Sequence, residues 1–202
     1  TNFFEKMDAA DDVFDADDEI EDLESILDES VASGLPEYSL RWHYRSRHED
    51  LIAFSNYHYY DNKLITFPSA SEKVPDLGVR LEYLPDAIYD RAESRTNRGE
   101  AEKVVDEVVR RLTDPEQQKY SIGIVTLNLA QQILIEELLD NARRHDPAID
   151  RFFSPDEWEP VIVKNLENIQ GDERDIIFLC ITYGPDQRGI VSMNFGPINR
   201  NG

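Results

Sequence analysis

Three stretches of the chain carry residue types whose chemistry is that of phosphates and sugar hydroxyls. Residues 40–64 hold the run Tyr44, Arg45, Ser46, Arg47, His48. A planar guanidinium can neutralise charge on phosphoryl oxygens and bond two of them at once. The plainer partner for Arg45 is Glu49, four residues on, in a surface ion pair. Residues 122–132 form an apolar run that ends in Thr126, Leu127, Asn128 and Gln131. A hydroxyl beside the amides of a helix start suits a phosphate, and Asn128 also suits the N-cap of that helix. Residues 163–181 contain Asn165, able to donate to a phosphate, and then Gln170, Gly171, Glu173 and Asp175 between two apolar runs. Gly171 lets backbone pass close to a ligand, and Glu173 can accept a hydrogen bond from a hydroxyl. The bland alternative is a hydrophilic turn stapled by Arg174 and its acidic neighbours, which would not require this spacing.

The elements that must hold these residues alternate in type. Residues 121–127, 161–166 and 176–182 read as strands without polar alternation, the pattern of strands buried on both faces. A helix over about residues 100–112 carries Val104, Val105, Val108, Val109 and Leu112 on one stripe, and the helix after residue 127 turns Ile133, Leu134, Ile135, Leu138 and Leu139 to the sheet. Residues 79–84 alternate as a strand, and the polar loop 85–98 carries three arginines. Earlier in the chain a short strand over 39–44 precedes a helix over 48–57 with an acidic first turn. The aromatic-rich connection that follows, with Tyr57, Tyr59, Tyr60, Leu64 and Phe67, is expected to be core beneath a loop rather than a surface for stacking bases. Strands alternating with helices at this spacing predict an α/β domain with a parallel sheet. Residues 1–35 read as an acidic N-terminal segment running into a helix that ends near Ser33-Gly34, and 36–202 as the α/β domain.

Composition sets the outer limits. With 202 residues, 40% of them hydrophobic, the chain fits one ordinary domain with an appendage. No run approaches a membrane span and the start lacks the layout of a secretory signal, so a soluble, intracellular, cytoplasmic protein is expected. Cys180 is the single cysteine and lies in an apolar run, which predicts a structural thiol. The net charge of -21 lacks the basic footprint usual in nucleic-acid binders. That objection is partly local, because thirteen acidic residues and one lysine fall within residues 1–30, leaving -9 for the rest.

Taken in order, the three stretches resemble the C-terminal motor domain of superfamily 1 helicases, particularly the 5′-to-3′ branch that includes the nonsense-mediated-decay helicases, from about residue 24 onward. The resemblance implies a RecA-like fold of the P-loop NTPase type, a three-layer sandwich in which helices cover both faces of a parallel sheet. It implies that Arg45 is an arginine finger reaching the nucleotide's terminal phosphate, where a guanidinium arriving on closure stabilises transition-state charge. It implies that Glu173 takes the nucleotide ribose with Gly171 beside it, that Gln170 orders that loop and lies by the strand, and that Thr126, Asn128 and Asn165 meet the nucleic-acid backbone. The sequence departs from the family in Leu127, which replaces a proline, Asn128, which replaces an aromatic residue, and Asn165, which replaces a serine or threonine. Residues 1–4 resemble the sequence just after the first motor domain's sensor motif, and residues 194–202 the lead-in to a final arginine motif, so the domain is expected to be cut before that motif. No Gly-x-x-x-x-Gly-Lys-Ser/Thr loop occurs. ATP and Mg²⁺ are therefore expected in the full-length protein, with this segment alone inactive and binding neither. The partners implied are single-stranded DNA or RNA and the first RecA-like domain of the same chain; a basic partner for the acidic segment is a further possibility.

Other chemistries fit less well. A metal nuclease would need an acid two residues before Lys164, where Ile162 stands. The four histidines lack ligand-type spacing, so no metal site is expected. A calcium loop starting at Asp15 would need glycine at its sixth position, and Ile20 is there. The alternative of another class is a non-catalytic nucleic-acid or protein interaction module on a degenerate RecA-like body.

Overall fold

The computed structural model describes residues 25–67, 77–192 and 194–195, in two units, Thr1–Arg80 and Leu81–Gly202. The acidic stretch 8–24 and the lead-in at 196–202 lie outside the described residues.

In the first unit, helix α1 (Ile26–Ala32) starts at Ser25, whose hydroxyl oxygen accepts the Asp28 amide, and ends at Ser33 before Gly34 at φ +80°. Strand β1 (Trp42–His43) pairs in parallel with β2 (Ile65–Thr66), and α2 (Asp50–Tyr59) is the crossover between them. The Asn56 side chain closes the return: its Nδ2 donates to the Leu64 carbonyl and its Oδ1 accepts the Leu64 amide. The strand expected over 39–44 shrinks to two residues, and the aromatic connection is not core. Tyr57, Tyr59, Tyr60 and Phe67 are 50–74% exposed, although Trp42 stacks on Phe67 at 5.4 Å. The physical reason lies in α2, whose apolar side chains are spread around the helix and bury none of its residues.

The second unit is built on a three-stranded parallel sheet in the order β6-β5-β7, with β5 (Ile122–Thr126) central between β6 (Ile162–Asn165) and β7 (Ile176–Cys180). All five residues of β5 are buried. Helices α3 (Arg98–Thr113) and α4 (Leu129–His145) lay Ala101, Val105, Val108, Leu112, Ile135 and Leu139 against Ile122, Ile124 and Cys180. Side chains alternate across a strand, so both helices lie on the face that these residues share. Ile133 is 46% exposed and turns away from the sheet, unlike Leu134, Ile135, Leu138 and Leu139. On β7, Ile177 and Leu179 are also exposed, so this strand alternates in burial instead of being enclosed on both sides.

The second face of β5 is covered by the connection from β6 to β7. Lys164 pairs there with Asp172, and Arg174 donates from Nε and Nη2 to the Pro160 carbonyl at 3.1 Å each. Gly123 permits this approach, because a Cβ would stand 2.8 Å from Ile177 Cδ1 and 3.3 Å from Arg174 Cγ. Gly123→Val is accordingly expected to cost about 2 kcal/mol through overpacking, read as a lowered urea midpoint; an unchanged midpoint would mean that the crossover shifts freely.

Two expectations for residues 79–98 are corrected. No strand forms over 79–84, where Val79, Leu81 and Tyr83 are 68–86% exposed: an alternating pattern without a pairing edge stays irregular. The polar loop holds an antiparallel hairpin instead, β3 (Tyr89–Asp90) with β4 (Thr96–Asn97), whose turn is organised by the Asp90 carboxylate accepting the amides of Ala92, Glu93 and Ser94.

Candidate functional site

Parallel strands end together, and the loops beyond their carboxyl ends are where α/β sheets hold ligands. Here Thr126 is in register with Asn165 on one side and Cys180 on the other, and the Leu166 amide donates to the Thr126 carbonyl at 2.9 Å. The turn after β5 and the turn after β6 therefore meet at one edge. Thr126 is fully buried, and its hydroxyl donates to the Asn128 carbonyl at 2.9 Å. Asn128 caps α4 with Oδ1, which accepts the Gln131 amide at 2.8 Å, and its Nδ2 donates to the Arg95 carbonyl at 3.3 Å. Asn165 uses Oδ1 to accept the Asn168 amide at 3.1 Å, while its Nδ2 donates to no group among the described residues. Of the residues read as strand contacts, Asn165 thus keeps a donor in hand, whereas the Thr126 side chain is turned inward.

Gln170 is exposed, and Gly171 has φ +90° with open space around it, so glycine answers there to conformation and not to crowding. Glu173 is exposed and follows the crossover toward the opposite edge: two residues on, Asp175 accepts both the amide and the hydroxyl of Ser121, just before β5 begins. The sheet therefore brings Thr126, Asn128 and Asn165 together and carries Glu173 away from them. Arg45 belongs to the first unit. It sits at the tip of a bend fastened by His43, whose Nε2 accepts the Ser46 amide at 3.3 Å and bonds the Ser46 hydroxyl at 2.7 Å.

Behind the β5 edge lies a buried polar network. Gln131, with no exposed surface, accepts the Asn97 amide at 2.8 Å and donates to the Asn97 carbonyl at 2.9 Å and to Glu100 at 3.2 Å. Asn97 caps α3, and Asn97-x-x-Glu100 has capping-box spacing, in which the glutamate ordinarily bonds back to the cap amide. Because Gln131 takes that amide, Glu100 is released to accept the Thr182 amide at 2.9 Å. The network thereby ties the start of α3, the start of α4 and the end of β7. Burial raises the Glu100 carboxyl above its ordinary range, and the amides of Thr182 and Ile181 offset part of that. Burial first and the Glu100 charge second push the Cys180 thiol far up, which keeps it protonated and unreactive. Thr182 itself holds φ +67° and is spanned by a bond from the Tyr183 amide to the Ile181 carbonyl, the geometry of a strained γ-turn. The capping-box spacing was the one sign of this network in the sequence.

Among the described residues no helix is long and apolar enough to cross a membrane, and no group of three His, Cys, Asp or Glu residues is placed to hold a metal.

Residues 23–192 match the family model of the AAA domain. Over 167 residues, 81% of its length, the chain is 36% identical to an uncharacterized ATP-dependent helicase of Mycoplasma genitalium and 35% identical to that protein's homologue in Mycoplasma pneumoniae. It spans 14% of the length of each. With the motif order and the parallel α/β core, these similarities show that the chain belongs to the AAA domain family, as a superfamily 1 helicase-like segment.

Proposed function

We propose that this chain is the second motor domain of an ATP-dependent helicase or translocase acting on single-stranded DNA or RNA, with residues 36–202 forming the RecA-like domain. The observation that carries the reading is the meeting of the Asn128 and Asn165 turns at the carboxyl edge of a parallel sheet, in a chain 36% identical to an ATP-dependent helicase. In this assignment Arg45 is the arginine finger, and Gly171 and Glu173 take the nucleotide's ribose. Asn128, Asn165 and Gln170 contact the strand, and Thr126 shapes the turn that presents Asn128. ATP and Mg²⁺ bind the full-length protein, in which a first RecA-like domain supplies the phosphate loop. A third layer completes the sandwich over Ile177 and Leu179, which are 46% and 55% exposed. The acidic segment offers a surface to a basic partner, and the protein works in the cytoplasm.

The test is ATP hydrolysis by the purified full-length protein with and without single-stranded oligonucleotide. Turnover stimulated by the strand is the expected result. A folded full-length protein that hydrolyses no ATP under either condition would replace the motor reading with that of a non-catalytic binding module.

A further inference from the structure

The turn between β3 and β4 puts an arginine where a glycine or asparagine is the ordinary choice. Arg95 holds φ +58°, a left-handed conformation that costs a residue with a Cβ, and donates its amide to the Asp90 carbonyl at 2.8 Å. Its carbonyl is the acceptor for Asn128 Nδ2. The strained backbone of Arg95 is thus fastened to the same side chain that caps α4 at the carboxyl edge of the sheet.

The three arginines of this segment differ in what they meet. Arg91 pairs with Asp186 at 3.3 Å and Arg98 with Glu102 at 2.8 Å. The exposed guanidinium of Arg95 has no hydrogen bond or ion pair to any described residue. Asp90, a carboxylate of its own turn, is occupied by the amides of Ala92, Glu93 and Ser94 and by the Ser94 hydroxyl, and the other, Glu93, forms no ion pair with Arg95. Several described arginines, Arg144 and Arg151 among them, also lack a carboxylate ion pair, but among the described arginines only Arg95 combines that with a left-handed backbone, which is conformationally costly. Both features are explained if the side chain's partner is an external anion reaching the edge that Asn128 and Asn165 form.

We infer that Arg95 is a further nucleic-acid contact, a cation that bonds a backbone phosphate of the single strand beside Asn128. The inference rests on the strand-binding role proposed for this edge. Such a contact reads no bases, so its effect is uniform across sequences and depends on salt.

The experiment is fluorescence anisotropy of labelled oligothymidine, oligouridine and a mixed-sequence single strand with the full-length protein, across a salt series. Loss of one phosphate contact lowers the slope of log affinity against log salt by about 0.7, which is about fivefold between 1 M and 0.1 M salt. Arg95→Ala is expected to show that loss on every strand, Arg95→Lys to retain the wild-type slope, and Arg98→Ala, whose side chain is paired with Glu102, to bind as wild type does. Arg95→Gln, which keeps most of the side chain's length, serves where alanine disturbs the turn. An unchanged slope in both Arg95→Ala and Arg95→Gln, with the wild type binding normally, overturns the role of Arg95 and leaves the motor reading standing. An equal loss in Arg98→Ala also overturns it, in favour of diffuse charge. A wild type that binds no strand overturns both readings together.

Discussion

Arg45→Ala in the full-length protein is expected to lower strand-stimulated ATP turnover by about 10³-fold or more while leaving the circular dichroism spectrum unchanged. The size follows from what an arginine finger does. Charge builds on the phosphoryl oxygens in the transition state, and a guanidinium aimed there stabilises that state more than bound ATP. The structural side of the expectation is local. Arg45 is exposed at a bend that His43 and Ser46 fasten without its side chain, so its removal leaves those bonds in place. Arg45→Lys is expected to recover little, because an ammonium lacks the planar fork that meets two oxygens. The competing role, a surface pair with Glu49, predicts a different pattern: Glu49→Gln would then match Arg45→Ala, and turnover would change in neither by more than a few fold. Full turnover in a folded Arg45→Ala protein would return Arg45 to that structural role.

The legible parts of the fold were those where one physical signal dominates. The run at residues 122–126 has no polar interruption before Thr126, and it became the enclosed central strand. Of the stripe on α3, Val105, Val108 and Leu112 are buried and Val104 and Val109 partly so, while Ala101 and Arg111, outside the stripe, are buried as well. Where the periodicity was right but the partner was missing, the reading failed. Residues 79–84 alternate and yet have no strand beside them among the described residues, and β7 is uniformly apolar although Ile177 and Leu179 stay exposed. Hydropathy reports how a residue would fare if covered; it does not report what covers it.

The site divides in a similar way. The sequence offers Asn128 two uses, cap and strand contact, and its side chain makes the cap while its turn remains at the carboxyl edge. The Thr126 hydroxyl donates to the Asn128 carbonyl inside the fold, a partner that residue type alone does not reveal. Single hydrogen bonds in the network of Asn97, Gln131, Glu100 and Thr182 join residues up to 82 positions apart, and no spacing rule connects such distant residues. Arg95 is one of three arginines in a polar loop, and the structure sets it apart by its left-handed backbone and by the pairing of Arg91 and Arg98.

The largest stability effect is expected at Glu107, on α3. Spacing of three and four residues brings Arg110 and Arg111 to its carboxylate: Arg110 donates at 2.7 and 2.8 Å, and Arg111 donates from Nε at 2.9 Å. Arg111 is 6% exposed, lies over the Phe178 ring at 5.9 Å, and donates also to Gln117. Glu107→Ala would take the Glu107 carboxylate away from that buried guanidinium, at a cost of about 3 kcal/mol, the lower end for breaking a buried pair because Glu107 itself is partly exposed. The effect should depend on pH with a fixed sign. The Arg110 hydrogen bonds, its charge and then Arg111 hold the Glu107 carboxyl at about 2 against the opposing pull of burial, below the 4.5 of a free glutamate. A carboxylate depressed by folding contributes its stability in full above about 4.5 and loses it as the pH falls toward about 2. The gap between wild type and Glu107→Ala, measured as the difference in denaturant midpoints at pH 7, 4 and 3, should therefore narrow through that window. Glu100 works in the opposite sense, since its raised carboxyl favours the folded state as the pH falls, but it is present in both proteins and cancels from the difference. A gap that stays constant from pH 7 to pH 3 would mean that the loss at Glu107 is one of packing and not of charge.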